Sequence, residues 1–243
     1  MNTIAIKQFS LLIFFSLLSL ATVAQGIFDQ GAEVSFLGGI AIPLGDFANK
    51  ELNDWNEHCG CAKTAGSLGI KIKGRLTGDF FGVLGVQYGW NGYDPKPITK
   101  ALRREFDAPF STETDSWKTK AVMVGGGYSF AVGDQLNWFI EAGGVLNDLD
   151  TYFFRIQSPD GTNRYPLLQK SVQDTGFGYA IGSDLTLDLF EGIGAGLSLN
   201  YRKTTHTVEG ADRRYNGGDL IPQNYKQKVE ILMVQLSVFV RGW

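Results

Sequence analysis

The sequence predicts an all-β protein, an eight-stranded antiparallel up-and-down transmembrane β-barrel that follows a cleaved signal peptide. Three observations predict this fold. Glycine makes up 31 of the 243 residues while 44% are hydrophobic, a composition too apolar for a disordered chain and too rich in glycine for a helical bundle. Eight runs of residues alternate between apolar and polar, and the connections between these runs alternate between short and long.

Residues 1–24 have the three-part layout of a secretory signal. Lys7 is followed by the apolar run 9–21 and then by Thr22-Val23-Ala24, a small-residue cleavage site. The apolar run is too short to cross a bilayer as a helix, which needs about 20 residues. Cleavage would leave residues 25–243 as the barrel domain, and the export signal excludes a cytoplasmic enzyme. The net charge of −3 argues against nucleic acid as a partner.

The predicted strands have a period of two, which places alternate side chains on opposite faces. In the second run, Leu68, Ile70 and Ile72 alternate with Lys71 and Lys73. The complete set of runs shows one apolar face and one face that is polar or glycine. The runs cover residues 31–42, 65–76, 80–92, 117–131, 138–156, 171–189, 193–207 and 228–241.

The connections distinguish a membrane barrel from a soluble one. Three are short turns with glycine and aspartate chemistry, at residues 77–79, 132–137 and 190–192. The other four are generally much longer, at residues 43–64, 93–116, 157–170 and 208–227. Short turns at one end and long loops at the other are typical of outer-membrane barrels, which have their turns in the periplasm and their loops outside the cell.

The entry to the first long loop carries a resemblance to a known family. It reads Gly38-Gly39-Ile40-Ala41-Ile42-Pro43-Leu44-Gly45-Asp46-Phe47-Ala48. This sequence resembles the small outer-membrane β-barrel family related to the OmpA transmembrane domain, OmpX and OmpW, and the similarity of pattern covers residues 31–243. The resemblance implies both termini in the periplasm and a location in the outer membrane of a Gram-negative bacterium. The terminal Trp243 departs from it, because it is out of register with the apolar set that ends at Val240.

The inward face carries charges of both signs that nearly cancel. An eight-stranded interior is just wide enough to be filled by side chains, so each buried charge needs a partner. We therefore predict a plug of ion pairs, with an ion or proton path as the alternative. The ten predicted members are Glu33, Lys71, Lys73, Arg75, Glu141, Asp174, Asp184, Asp188, Arg202 and Arg241.

Two cysteines lie in the first long loop, in His58-Cys59-Gly60-Cys61. The oxidising compartment favours a disulfide between Cys59 and Cys61, although a bridge to another chain stays open. These residues are too crowded for tetrahedral metal ligation, so we expect no metal. We expect no cofactor either, since the glycine-rich runs 125–127 and 192–196 lack the lysine of a phosphate-binding loop.

Histidine is scarce, which bears on catalysis. His206 falls near the predicted outer rim with no His-x-Ser pattern beside it. We interpret it as a surface histidine and the protein as non-enzymatic. The alternative is a lipid-modifying enzyme at the rim, in which Ser111 or Ser116 could approach His206.

The second long loop predicts a short amphipathic helix. Ile98, Leu102 and Phe106 recur every four residues and form one apolar stripe. Packing over the barrel mouth explains this stripe. The basic residues offer a second interpretation of equal weight, contact with lipopolysaccharide phosphates, through Lys100, Arg103 and Arg104 together with Arg213 and Arg214 of the fourth loop.

Alternation in the fifth run continues to residue 156, and strong turn residues follow at 158–163. This predicts a hairpin that projects beyond the bilayer. Its exposed edge, with Phe153 and Arg155, would capture an envelope or extracellular protein partner by strand addition. Packing of the hairpin against the first and second loops is the alternative. Taken together, the sequence favours a structural or surface-interaction role, with a small-molecule conduit or the rim enzyme as alternatives.

Overall fold

The computed structural model describes residues 31–52, 58–107, 110–157, 167–211, 213–215, 220–221 and 224–242. The predicted signal peptide, the predicted turn at 158–163 and the register of Trp243 lie outside these residues and stay predictions.

Eight strands form a closed antiparallel barrel, which confirms the predicted fold class. Neighbours in sequence are neighbours around the ring, and the first barrel strand closes the barrel by pairing with the last, from Glu33 opposite Arg241 to Leu44 opposite Glu230. The barrel strands are β1 (Ala32–Leu44), β2 (Ala65–Thr77), β3 (Phe80–Gly92), β5 (Ser116–Ala131), β6 (Leu136–Asp150), β9 (Gln173–Phe190), β10 (Ile193–Val208) and β13 (Tyr225–Arg241).

The outer face of the barrel is apolar, as the alternation predicts. Phe36, Val124, Phe177 and Leu236 each expose more than half of their surface. Aromatic rings form a contiguous row near the short turns, from Phe80 through Tyr128 and Phe130 to Trp138. An apolar outer face of this kind is what the lipid-facing surface of a membrane barrel requires.

The short turn between β2 and β3 follows the predicted chemistry. Gly78 has a φ of +55°, a conformation that costs glycine little. The register shifts between Arg75 and Thr77 immediately before this turn. The barrel end that carries the short connections is called the short-turn end below, and the opposite end is called the long-loop end.

The fifth barrel strand is shorter than the predicted run 138–156. β6 ends at Asp150, and the chain leaves the barrel before it resumes strand structure at Phe154. The later segment belongs to a second, five-stranded sheet built from the long loops. In spatial order this sheet contains β12 (Leu220–Ile221), β11 (Arg213–Tyr215), β8 (Leu167–Gln169), β7 (Phe154–Gln157) and β4 (Ser111–Thr114).

Two helices occur in the long loops. α1 (Gly45–Ala48) directly follows β1, and α2 (Lys96–Phe106) confirms the helix predicted in the second loop. In the part of the chain that is described, neither helix has the length and apolar character needed to span a bilayer.

The inward face is less polar than the alternation suggests. One apolar group lines the wall formed by β3, β5, β6 and β9, where it includes Phe81, Val83, Met123 and Val145. The ring of Phe139 packs against this group, and the ammonium of Lys73 lies 3.9 Å from its centroid. The charged side chains of the lumen therefore rest against an apolar wall.

Candidate functional site: the lumen and its cap

The lower lumen, toward the short-turn end, holds a linked set of ion pairs. Lys73 Nζ donates to Glu33 Oε1 at 3.1 Å and lies 2.7 Å from Asp184 Oδ2. Lys71 Nζ donates to Asp184 Oδ2 at 2.9 Å and also to Glu141. All five side chains are buried. They meet because alternation turns them inward from four different strands, β1, β2, β6 and β9.

Arg241 of β13 extends this set. Its Nη2 donates to Glu33 Oε2 at 2.7 Å, and its Nη1 donates to Asp188 Oδ1 at 2.9 Å. Asn137 Nδ2 adds a hydrogen bond to Asp188 at 3.3 Å. The result is one continuous structure, called the ionic network below, of seven charged residues: Glu33, Lys71, Lys73, Glu141, Asp184, Asp188 and Arg241.

Arg75 does not belong to the ionic network, so its predicted place there is wrong. Its side chain is 62% exposed at the short-turn end. Nε donates to Gly78 O at 2.7 Å, and Nη2 lies 3.8 Å from Asp79. The bulge between Arg75 and Thr77 breaks the alternation at this point, and the turn supplies partners outside the lumen.

Asp174 also lies apart from the ionic network, at the long-loop end, where it pairs with a histidine. His206 Nδ1 donates to Asp174 Oδ2 at 3.2 Å, since a carboxylate can only accept, and Nε2 lies 3.0 Å from Asn147 Nδ2. Thr204 Oγ1 lies 3.1 Å from Nε2. The interpretation of His206 as a surface residue is wrong, since it is 1% exposed on the inward face of β10.

Arg202 is the remaining predicted member of the plug. It is 1% exposed, and its Nη2 donates to Thr119 Oγ1 at 3.1 Å. No ion pair to Arg202 occurs among the described residues. Burial of this arginine was foreseeable from the alternation, whereas its lack of a carboxylate partner was not.

A cluster of buried apolar side chains lies at the long-loop end, and we call it the cap core. Trp117 packs edge-on against Phe47 at 5.3 Å and against Tyr152 at 4.7 Å between ring centroids, and Tyr93 stacks on Tyr152 at 3.8 Å. The barrel strands and loops contribute Ala41, Phe47, Cys59, Cys61, Ala62, Tyr93, Ile98, Leu102, Phe110, Trp117, Leu149, Tyr152, Phe154, Ile156, Val229, Ile231 and Met233.

The segment containing the two cysteines lies within the cap core. The structure joins Cys59 to Cys61 by a disulfide, and Trp117 Nε1 donates to Gly60 O at 2.8 Å. A Cβ at Gly60 would lie 2.2 Å from Phe47 O, so only glycine allows this close approach. In the described part of the chain, no group of three or more His, Cys, Asp or Glu residues could hold a metal ion.

α2 is oriented by its apolar stripe. Ile98 and Leu102 are each 1% exposed in the cap core, while Lys100, Arg103 and Arg104 are exposed on the opposite side. Lys100 and Arg104 border a cleft of about 320 Å³. The other residues lining this cleft are Lys50, Glu51, Leu52, Pro97 and Ala101.

The predicted projecting hairpin has no open edge within its described residues, 154–157 and 167–169. β7 pairs with β4 on one side and with β8 on the other, and β8 pairs with β11. Phe154 and Ile156 are buried in the cap core, Phe153 is half-buried and Arg155 is exposed. Strand addition at this hairpin is therefore wrong as a mechanism of partner capture. The backbone of Arg213 and Arg214 forms part of β11.

Asp94 fastens the base of α2 to the first loop. It accepts from Lys50 Nζ at 2.8 Å and from the Lys96 backbone N–H at 3.3 Å, and it lies 3.7 Å from Lys63 Nζ. Burial opposes ionisation of this carboxyl, but these hydrogen bonds and positive charges outweigh it and hold the pKa of Asp94 below its ordinary range.

Packing of Ile98 and Leu102 over the barrel mouth was one interpretation of the sequence, but the rest of the cap core was not predicted. Phe47, Trp117 and Phe110 are large apolar residues in or beside segments interpreted as loops. Exposed loops seldom carry several such residues, so they were the available signal.

Comparison with known proteins supports the fold. No protein-family model and no curated protein matches the sequence. The crystal structure of Neisserial surface protein A is similar over 86% of this chain and 96% of that one, with a TM-score of 0.50 and 12% identity. A major outer membrane protein from Thermus thermophilus covers 86% and 98%, with a TM-score of 0.49 and 13% identity. The match to Neisserial surface protein A and the closed ring of eight antiparallel strands show the fold of small outer-membrane β-barrels, which confirms the resemblance at the level of fold.

Proposed function

We propose that the protein is a non-enzymatic barrel of the outer membrane of a Gram-negative bacterium, with a closed lumen and an extracellular cap that acts as an interaction surface. The apolar outer face of the barrel supports its placement in lipid. In this placement residues 1–24 direct export, the short turns lie in the periplasm and the long loops lie outside the cell.

The observation that carries this proposal is the presence of two clusters of side chains, the ionic network and the cap core, which together support a lumen closed at both ends. The ionic network fills the periplasmic half with paired charges, and the cap core covers the extracellular end with tightly packed apolar side chains. A conduit would need a continuous polar passage through the barrel. The ionic network and the cap core both lie across such a passage, so they argue against a conduit. A rim enzyme would need an accessible base, whereas His206 is buried beneath the cap.

Conductance across a planar bilayer tests the closed lumen. The folded wild-type barrel, identified by its heat-dependent gel mobility, should show no steady current. Glu141→Ala removes one carboxylate of the ionic network but leaves the cap core intact, so it too should not conduct steadily. A large, stable wild-type conductance would contradict the proposal and favour a channel.

The basic side of α2 suggests what the extracellular surface binds. Ile98 and Leu102 hold the helix in the cap core, so Lys100, Arg103 and Arg104 are presented outward on a held helix rather than on an exposed loop. Several cations side by side match the phosphates of lipopolysaccharide, and arginine can bind a phosphate with two hydrogen bonds. We include Arg213 and Arg214 in the same proposal because β11 belongs to the five-stranded sheet built from the long loops.

The dependence of binding on the phosphates of lipid A tests this surface. Lys100→Ser combined with Arg104→Ser should weaken binding to proteoliposomes that contain phosphorylated lipid A. The matched control is Lys170→Ser with Lys226→Ser, which removes two exposed charges elsewhere. Dephosphorylated lipid A should bind wild type and the α2 variant equally. Equal weakening by the α2 and control pairs would indicate only a general effect of net charge and would contradict a defined site.

A further inference from the structure

Arg202 is a buried cation that the protein leaves largely unpartnered. Only Nη2 has a protein acceptor among the described groups, Thr119 Oγ1, while Nε and Nη1 have none there. A guanidinium stays protonated at every pH a folded protein meets. Arg202 therefore cannot relieve its burial by losing its charge, as a lysine can.

The lumen carboxylates are engaged with other groups. Asp184 binds Lys71 and Lys73, and Asp174 binds His206. Glu33 and Asp188 share Arg241, so none of these four pairs with Arg202. Taking a lone charge out of water costs several kcal/mol, and neutral hydrogen-bonding groups recover only part of this cost. A compensating negative charge for Arg202 is not supplied by these four carboxylates.

A second unpartnered group lies beside Arg202. Asn200 is two residues earlier on β10 and points to the same inward face, with 1% of its surface exposed. Neither its Nδ2 nor its Oδ1 has a partner among the described residues. The amide can therefore turn Nδ2 toward an anion held by Arg202. Both residues lie on β10. The pair formed by Asp174 and His206 lies toward the long-loop end, and the ionic network lies toward the short-turn end.

We propose that Arg202 and Asn200 hold a small inorganic anion of halide size in the upper lumen. The interior of an eight-stranded barrel leaves room for little more than side chains, which excludes phosphate esters and lipid headgroups. The anion would neutralise Arg202 and accept hydrogen bonds from Nε, Nη1 and Asn200 Nδ2. It would act as a structural ligand of the closed lumen, independent of the extracellular binding proposed for α2.

Glu141 offers a competing explanation. The ionic network contains four carboxylates and three cations, and Glu141 Oε2 has no partner among the described residues. A chain of water could link this oxygen to Arg202 and balance the two charges at a distance. That arrangement predicts no dependence on the anion, so it can be told apart from the proposal.

The first measurement compares heat unfolding of the full barrel in detergent micelles, in sodium bromide and in sodium gluconate of equal ionic strength. Bromide at about ten times its Kd should raise the midpoint by about 3–6 °C, because gluconate is too large to enter. Arg202→Met should lose this difference. Arg75→Met, which removes an exposed arginine, should keep it. Equal midpoints in wild type, or an unchanged bromide effect in Arg202→Met, would overturn the proposal.

A second measurement needs no variant and so does not depend on Arg202→Met folding. Crystals of the wild-type barrel grown in bromide should show an anomalous scattering peak within hydrogen-bond distance of Arg202 Nε or Nη1. Water alone at that position, or bromide bound only on the outer surface, would show that Glu141 or solvent compensates the guanidinium and would refute the anion site.

Discussion

The lower lumen and the cap core place different kinds of side chain toward the two ends of the barrel. In the lower lumen, charged side chains come from adjoining rigid strands, and the strand register determines which of them meet. In the cap core, apolar side chains come from separate loops and are held by packing around Trp117. The comparison teaches that a barrel wall can position charges accurately enough for pairing, whereas long loops stabilise one another by burying apolar surface, which is less directional.

The largest expected effect comes from breaking the ionic network. Lys71→Met leaves Glu141 buried without the ammonium that donates to it and should lower the free energy of unfolding by about 3–5 kcal/mol. Arg75→Met, four residues along the same strand but exposed, should cost about 0–1 kcal/mol. Urea unfolding of the barrel, followed by tryptophan fluorescence, measures both. Similar losses for the two variants would show that burial in the ionic network does not increase the contribution of a charged side chain to the free energy of unfolding.

A smaller and more local effect should follow from damage to the cap core. Leu102→Ala should cost about 2–5 kcal/mol of local stability, because Leu102 is 1% exposed. Protease cleavage of the long loops should accelerate, while the heat-dependent gel mobility of the barrel should not change. Lys100→Ala, on the exposed side of the same helix, serves as the control. If the barrel itself lost its heat resistance, the cap core and the lower lumen would have to unfold together rather than independently.

The smallest expected effect comes from protonation of Asp94, at the base of α2. Since the pKa of Asp94 is lowered in the folded protein, its stabilising contribution is present at neutral pH and is lost as the pH falls from about 5 to about 2. Lys50 and Lys63 are about half exposed, so solvent screens much of the attraction. Pepsin cleavage of the long loops should rise more steeply with acidity in wild type than in Asp94→Asn. Identical profiles would assign the acid sensitivity to other groups.

The sequence by itself determined the barrel. Alternation is a local property of a strand, since successive side chains point to opposite faces whatever the partner. It therefore predicted all eight barrel strands, the apolar outer face and the inward direction of Lys71, Lys73 and Glu141. The amphipathic spacing of Ile98 and Leu102 likewise predicted α2. The prediction failed at β6 because alternation continues through residues 151–156, where the chain has already left the barrel.

Only the tertiary structure decided which inward residues meet. Lys73 and Arg75 have the same place in the alternation, yet one lies in the ionic network and the other is exposed, because a bulge and a turn intervene. Arg202 also obeys the pattern, but no carboxylate pairs with it among the described residues. Outside α2, most of the cap core has no periodic signal, since Phe47, Tyr93 and Trp117 come from distant segments. Their packing depends on the closed barrel, which brings the ends of those strands and loops together over one opening.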